Sequence, residues 1–179
     1  MKSVYKFAAE AGVPIGLYLV CISACFLLSL KVSFLQMLIF PLIIGFPFVL
    51  AFYMKRMVKQ EPTYNRFSPL WLFGIYSVIF GTLICMLFSS LYLVFVNPSF
   101  ITQYVTASIE GIQALPSSEQ YAATVEVLQH AIDSHMLPSG TQFVTTMGWF
   151  TCFGGSMLSL ILALIISRMS AKKRVSMFR

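Results

Sequence analysis

Charge is what this sequence has least of. Only 10% of its 179 residues are Asp, Glu, Lys or Arg, against about 25% in ordinary soluble domains. Hydrophobic residues make up 58% of the chain. A soluble domain must present a polar exterior, which a chain with so little charge cannot build. The composition therefore excludes a soluble globular protein and predicts a protein of the lipid bilayer.

Ionisable residues are also missing from the middle of every long apolar run. The four runs cover approximately residues 11–30, 32–53, 69–96 and 143–166, and each is long enough to cross a hydrocarbon core of about 30 Å. Pumps and ion-coupled carriers place ionisable groups at that depth. A hydrolase built on Ser156 would need a buried base, and neither His lies in a run. We expect no enzymatic activity and no cofactor.

Cysteine is scarce. The four residues Cys21, Cys25, Cys85 and Cys152 all lie within apolar runs, where Cys behaves as a small hydrophobic residue. A disulfide framework or a zinc site would need a different placement. The segment Ile22-Ser23-Ala24-Cys25 is similar to a lipoprotein cleavage box. The apolar run continues past it and a second span follows at once, so we expect an uncleaved first helix.

Basic residues are unevenly distributed. From Phe67 to Ser167 there is no Lys or Arg, and of the 12 in the chain only Lys31 falls outside the two ends and the second loop. The positive-inside rule then places both termini in the cytoplasm, and a bacterial cytoplasmic (inner) membrane is the expected location. Anionic lipid headgroups are the expected counter-charge for the net charge of +6. No nucleic-acid-binding motif is present, so nucleic acid is not an expected partner.

The segment 97–142, between the third and fourth runs, is the one sizeable polar part. Its charged residues are Glu110, Glu119, Glu126 and Asp133, with no Lys or Arg. Apolar residues recur at helical spacing on both sides of Pro116, which predicts two amphipathic helices. The expected fold of the single domain 1–179 is therefore all-α. It is a polytopic membrane protein of four transmembrane helices, with a two-helix amphipathic acidic cap between helices three and four. The apolar faces of the cap could pack on each other, lie on the membrane or dock on a partner.

A cation site is conceivable in this segment. Glu126, His130 and Asp133 follow one another at steps of four and three, the spacings at which two helical side chains can share a metal. A metal site usually takes ligands from more than one element. We therefore interpret the three residues as the solvated face of a helix, and His135 as a packing residue.

Small residues recur every four positions in two of the runs. The third run has Ser77, Gly81, Cys85 and Ser89, and the fourth has Thr151, Gly155, Ser159, Ala163 and Ser167. Small residues at this spacing let membrane helices approach closely. We predict that the third and fourth helices cross near Gly81 and Gly155, with Cys85 and Ser159 in or beside the contact. The packing candidates are Ser77, Gly81, Cys85, Gly155, Ser159 and Ala163.

The remaining polar side chains of the runs can be explained by hydrogen bonds within their own helix. These side chains are Gln36, Thr82, Thr145, Thr146 and Thr151. Hydroxyl groups in membrane helices commonly bond to the backbone of their own helix. A polar pore would need such residues from several copies of the chain.

Turn residues and span order carry a family resemblance. The basic loop before Phe67-Ser68, the exit Val96-Asn97-Pro98-Ser99-Phe100 and the break at Leu115-Pro116-Ser117-Ser118-Glu119-Gln120 make the chain resemble a bacterial family, domain of unknown function 4199. The resemblance implies a four-helix inner-membrane protein with an outer insert and assigns no role to any residue. It also associates the chain with membrane enzymes that act on lipid-linked sugars. The purely acidic insert departs from the mixed charge that the family leads us to expect.

These observations favour a non-enzymatic accessory or scaffolding subunit that binds another membrane protein, with an enzyme of envelope glycolipid assembly as the expected partner class. The alternative is a small homo-oligomeric channel or carrier.

Overall fold

The computed structural model describes residues 3–114, 121–134 and 136–177, and within them it is built of helices. The helices are α1 (Val4–Leu28), α2 (Ser33–Gln60), α3 (Phe67–Leu91), α4 (Phe100–Gln113), α5 (Ala122–Asp133) and α6 (Gly140–Met177). A 3-10 turn, Pro62–Tyr64, precedes α3, and a π-helical segment, Tyr92–Val96, extends it. The all-α prediction is confirmed.

Four of the helices are long and apolar enough to cross a membrane: Val4–Leu28, Ser33–Gln60, Phe67–Val96 and Gly140–Met169. The chain is therefore a multi-pass membrane protein. Hydropathy marks only the part of a helix that lies in hydrocarbon, whereas the backbone stays helical beyond it. For that reason α2 continues through Lys55, Arg56 and Lys59, whose long side chains can keep their charges in water.

The two ends of the bundle differ in charge. We call the end that holds Lys55, Arg56 and Arg168 the basic end, and the opposite end, from which α4 and α5 emerge, the insert end. At the insert end, α1 and α2 are joined by the tight turn Ser29–Val32. The amides of Lys31 and Val32 both donate to the carbonyl of Leu28, at 3.0 and 3.1 Å. The first two helices thus form the hairpin that the short connection predicts.

The largest interface of α1 is nevertheless with α3, not with α2. Small residues make this close approach possible: Ala8 and Ala11 are buried, and Gly16 lies against Gly81. A Cβ atom placed on Gly81 would lie 3.0 Å from the backbone nitrogen of Gly16. Two backbones that touch in this way gain dispersion contacts that larger residues would prevent.

Around the bundle the helices follow the order α2–α1–α3–α6, and α2 makes few contacts with α6. Pro41 and Pro47 lie within α2, which remains one helix through both. The hydroxyl of Tyr18 in α1 donates to the carbonyl of Leu42 at 2.7 Å. The ring of helices is therefore tight from α1 through α3 to α6 and loose between α2 and α6.

Two apolar clusters hold the bundle. The larger one includes Leu50, Met54, Leu70, Phe73 and Ala163, all at most 1% exposed, and fills the half toward the basic end. The smaller one, at the insert end, is built on four buried residues: Leu27, Leu93, Phe100 and Val144.

The insert docks on the bundle through α4. Phe100, at the start of α4, is buried, and its ring centroid lies 5.7 Å from that of Phe26. In contrast, α5 has no buried residue and rests on α4, with Val125 and Leu128 half-buried. Both helices are amphipathic, as predicted, and they pack on each other. The connection 115–120 and His135 lie outside the described residues.

Candidate functional site

A cleft opens in the half of the bundle toward the insert end, where α2 and α6 separate. Its volume is about 460 Å³. All four spanning helices contribute to it. The lining residues are Leu19, Ile22, Ser23, Phe26 and Leu27 of α1; Ile39, Ile43 and Phe46 of α2; Thr82, Cys85, Met86, Ser89 and Leu93 of α3 and its extension; and Phe143, Val144, Met147, Gly148, Thr151, Gly154, Gly155 and Leu158 of α6.

Small residues of α6 create the space. A Cβ atom on Gly154 would find no atom within 4 Å, whereas one on Gly155 would lie 2.5 Å from a methyl group of Val78. Gly155 therefore brings α6 close to α3, and Gly154 beside it leaves the neighbouring volume empty. The larger apolar cluster closes the cleft toward the basic end and the smaller cluster closes it toward the insert end.

The mouth of the cleft faces sideways, between α2 and α6. Ile43 is 55% exposed and Met147 is 48% exposed, although both line the cleft. Gly154 is also exposed. Because these residues lie within membrane-spanning helices, the mouth opens toward the hydrocarbon of the bilayer.

A small group of polar atoms lies inside. The hydroxyl oxygens of Ser23 and Ser89 are 2.6 Å apart, which joins α1 to α3, and the sulfur of Cys85 lies 4.0 Å from Ser89 Oγ. Thr151 donates to the carbonyl of Met147 at 2.8 Å. Thr82 differs, because the residue is 2% exposed and its buried hydroxyl has no hydrogen-bond partner in the described part of the chain.

The expectation that hydroxyl groups bond to their own helix holds for Thr145 and Thr151 among the residues to which it was applied. Thr145, Ser156 and Ser159 each donate to the carbonyl four residues earlier, at 2.7 to 2.8 Å. Ser156 is therefore engaged locally. Ser77 joins Thr82 as an exception, since its buried oxygen has no partner within the described ranges.

The predicted crossing of the third and fourth helices needs a correction. Gly155 and Ser159 do lie against α3, but opposite Val78 and Gly74, where a Cβ atom on Gly74 would lie 2.6 Å from Ser159. The close contact of Gly81 is with Gly16 of α1, because α3 lies between α1 and α6 and uses its small residues on both sides.

The other packing candidates take different positions. Ser77 and Ala163 are fully buried within the bundle. Cys85 is half-buried and faces the cleft beside Ser89. The prediction thus located close approach on both helices but assigned Gly81 to the wrong neighbour.

The acidic candidates Glu126, His130 and Asp133 line a shallow surface depression together with Gln113 of α4. His130 Nδ1 lies 3.3 Å from the hydroxyl of Ser134. Among the described residues, no group of three His, Cys, Asp or Glu side chains is placed to hold a metal ion. Glu119 lies outside the described residues.

The cleft is not among the features that the sequence predicts. The sequence pattern gives Thr82 only as a polar residue with a local partner, and it does not mark Gly148, Gly154 and Ser23 as lining residues. One signal was available: α2 lacks the four-residue repeat of small residues that lets its neighbours pack closely. A helix without that repeat is the natural place for a gap in the ring.

Comparison with known proteins identifies the family of the chain. Neither a curated protein nor a solved structure matches the chain. A family described as "Protein of unknown function (DUF4199)" matches residues 10–168. The match covers all four spanning helices and the insert, so the chain belongs to this family of proteins of unknown function, DUF4199.

Proposed function

We propose that this chain is a non-enzymatic accessory or scaffolding subunit of a complex in a bacterial cytoplasmic membrane, with both termini in the cytoplasm. The orientation is supported by the placement of Lys and Arg, which gather at the basic end. The partner class that we propose is an enzyme of envelope glycolipid assembly.

The observation that carries the proposal is the uncovered face of α2. In its most apolar window only 11% of the residues are buried, against 33% in α1. Six large side chains form one continuous stripe on this face at steps of three and four, each 60–74% exposed. We call them the α2 ridge: Phe34, Met37, Phe40, Ile44, Phe48 and Phe52.

The prolines of α2 leave backbone carbonyls without their usual hydrogen-bond donors, and lipid chains have no donor to offer. Proline has no N–H, so Pro41 and Pro47 remove the usual donors to the carbonyls of Met37 and Ile43. In membranes, neighbouring helices commonly supply the missing hydrogen bonds. A partner helix on the α2 ridge would cover the aromatic side chains and could donate to the carbonyl of Met37 on the same face.

An independent enzyme has less support. The cleft brings together hydroxyl and thiol groups of Ser23, Thr82, Cys85 and Ser89, none of which is an acid or base strong enough to activate another. A channel needs a polar path, whereas the cleft is mostly lined by hydrocarbon and closed toward both ends by apolar clusters.

Photocrosslinking in cells at native expression tests the accessory role. A photoreactive phenylalanine analogue replaces Phe48 on the α2 ridge or, as a control, Leu87 on α3, which is 65% exposed. We expect Phe48 to form an adduct with one other membrane protein, identified by mass spectrometry, and Leu87 to label lipid only. In the same cells, Phe48→Ala should reduce recovery of that partner at least fivefold, and Leu87→Ala should leave it unchanged.

Two results would contradict the proposal. Adducts of Phe48 with a second copy of this chain would favour the oligomeric channel. Adducts with many proteins at both positions would show that the ridge is ordinary lipid-facing surface.

A further inference from the structure

The cleft is accessible only from within the membrane. Its mouth, at Ile43, Met147 and Gly154, lies on spanning helices, and apolar clusters close it toward both ends of the bundle. An occupant must therefore arrive laterally, either as a lipid chain or as a helix of another protein.

The shape of the cleft favours a lipid chain. Its lining on α6 runs from Phe143 to Leu158, a rise of about 22 Å at 1.5 Å per residue. Its volume is about 460 Å³, so the cleft is long and narrow. An extended hydrocarbon chain of a lipid has that form, whereas a helix with its side chains is about 10 Å wide.

The walls suit such a chain. Leucine, isoleucine, phenylalanine and methionine side chains from four helices make up most of the lining. Ser23 and Ser89 pair with each other and so present little free polarity. Thr82, on the α3 side of the lining, is 2% exposed, and its buried hydroxyl has no partner in the described part of the chain. This side of the cleft therefore has one buried hydroxyl for which the described residues supply no hydrogen bond.

The insert end offers one cation for a headgroup. Among the described residues, Lys31 is the only Lys or Arg that does not belong to the basic end. It lies in the turn above the cleft: Leu27, four residues earlier, lines the cleft, and Leu30 packs in the cluster that closes it. The side chain of Lys31 is exposed, and an ammonium group at headgroup depth attracts phosphate.

We propose that the cleft binds one hydrocarbon chain of a phosphate-bearing lipid from the leaflet at the insert end, with Lys31 contacting the phosphate. This lipid site goes beyond the proposed accessory role, since a subunit could hold a lipid with or without a protein partner.

Native mass spectrometry of the purified full chain in mild detergent tests the site. The probes are phosphatidic acid and diacylglycerol with identical chains. We expect one bound phosphatidic acid per chain and at least fivefold weaker binding of diacylglycerol. Lys31→Gln should reduce that preference to less than twofold. An unchanged preference in Lys31→Gln would overturn the phosphate contact.

Blocking the mouth tests the chain contact. Gly154→Phe places a ring in the open space at the mouth and should weaken phosphatidic acid binding at least tenfold. Met157→Phe is the matched control, because Met157 is 51% exposed and does not line the cleft; its affinity should stay within twofold. Equal affinity of Gly154→Phe and wild type would overturn the proposal, as would equal losses in both variants.

A second measurement does not depend on variants. A phosphatidic acid with a diazirine in mid-chain should label buried lining residues of the wild type, such as Thr82 and Val144. Labelling confined to exposed residues would also overturn the site. These experiments use the isolated protein, so their failure leaves the accessory role standing, and loss of the partner leaves the lipid site standing.

Discussion

At the scale of single residues, two groups of hydroxyls in the spans contrast with each other. Thr145, Thr151 and Ser159 satisfy their hydroxyls on the carbonyl one turn earlier. Thr82 and Ser77 are buried without a partner in the described part of the chain. An unpaired buried hydroxyl costs about 1–3 kcal/mol, so the two groups should respond oppositely when the hydroxyl is removed.

Thr82→Val tests this difference, because valine keeps the shape of threonine and removes only the unpaired hydroxyl. We expect the free energy of unfolding to rise by about 1 kcal/mol in mild detergent. The matched variant Thr151→Val removes a hydroxyl that is bonded to Met147, and it should lower the free energy by about 0.5–1 kcal/mol. Chemical unfolding of both variants measures the difference. A larger loss in Thr82→Val than in Thr151→Val would show that the Thr82 hydroxyl has a stabilising partner.

At the scale of helices, α3 packs against both α1 and α6. Toward α1 it offers Gly81, and toward α6 it offers Gly74 and Val78. Because Gly81 meets the backbone of Gly16, neither side of that contact can move away by rotating a side chain. The crossing of α1 and α3 therefore leaves little room for adjustment.

Gly81→Ala tests that crossing. Its new methyl group would lie 3.0 Å from Gly16 N and from Ile15 Cγ2, and such overpacking costs about 1–3 kcal/mol in the free energy of unfolding. Gly154→Ala is the matched control, since open space surrounds Gly154 and alanine favours a helix by up to about 1 kcal/mol. Thermal or SDS unfolding compares the two proteins. Equal stability of both variants would mean that α1 and α3 separate at no cost.

The four spans and the two insert helices could be read from the sequence, because apolar run length and helical periodicity are local properties. The pairing of the helices could not. Four-residue spacing of small residues occurs on α1 at Gly12 and Gly16, on α3 at Ser77 and Gly81, and on α6 at Gly155 and Ser159. Such spacing indicates close approach but does not say to which neighbour. The cleft depends on where α2 and α6 lie relative to each other. The missing small-residue repeat of α2 indicates a gap beside this helix but does not say which helix lies across it.

At the scale of the whole molecule, charge divides the protein into two ends. The basic end carries Lys55, Arg56 and Lys59 of α2, whereas the described charges of the insert are Glu110, Glu126 and Asp133. Such a division biases insertion, because basic loops stay in the cytoplasm.

Cysteine labelling in intact cells checks the orientation. In a variant without the four native cysteines, Thr106→Cys on α4 should react with an impermeant thiol reagent from outside the inner membrane. Gln60→Cys at the basic end should be protected until the membrane is opened. Both positions are exposed in the structure, so a difference reports sidedness. The reverse pattern would place the insert in the cytoplasm and contradict the orientation.

The preference of α1 for α3 over α2 has a consequence for biogenesis. The ribosome completes α1 at Leu28 and reaches the end of the third span only at Val96, an interval of roughly 3 to 14 s at 5–20 residues per second. During that time the small-residue face of α1 around Gly12 and Gly16 has no partner helix and faces lipid or the insertion machinery. While only the α1–α2 hairpin has been made, this face of α1 is therefore open to mispairing with other membrane helices. That period ends when α3 packs on α1.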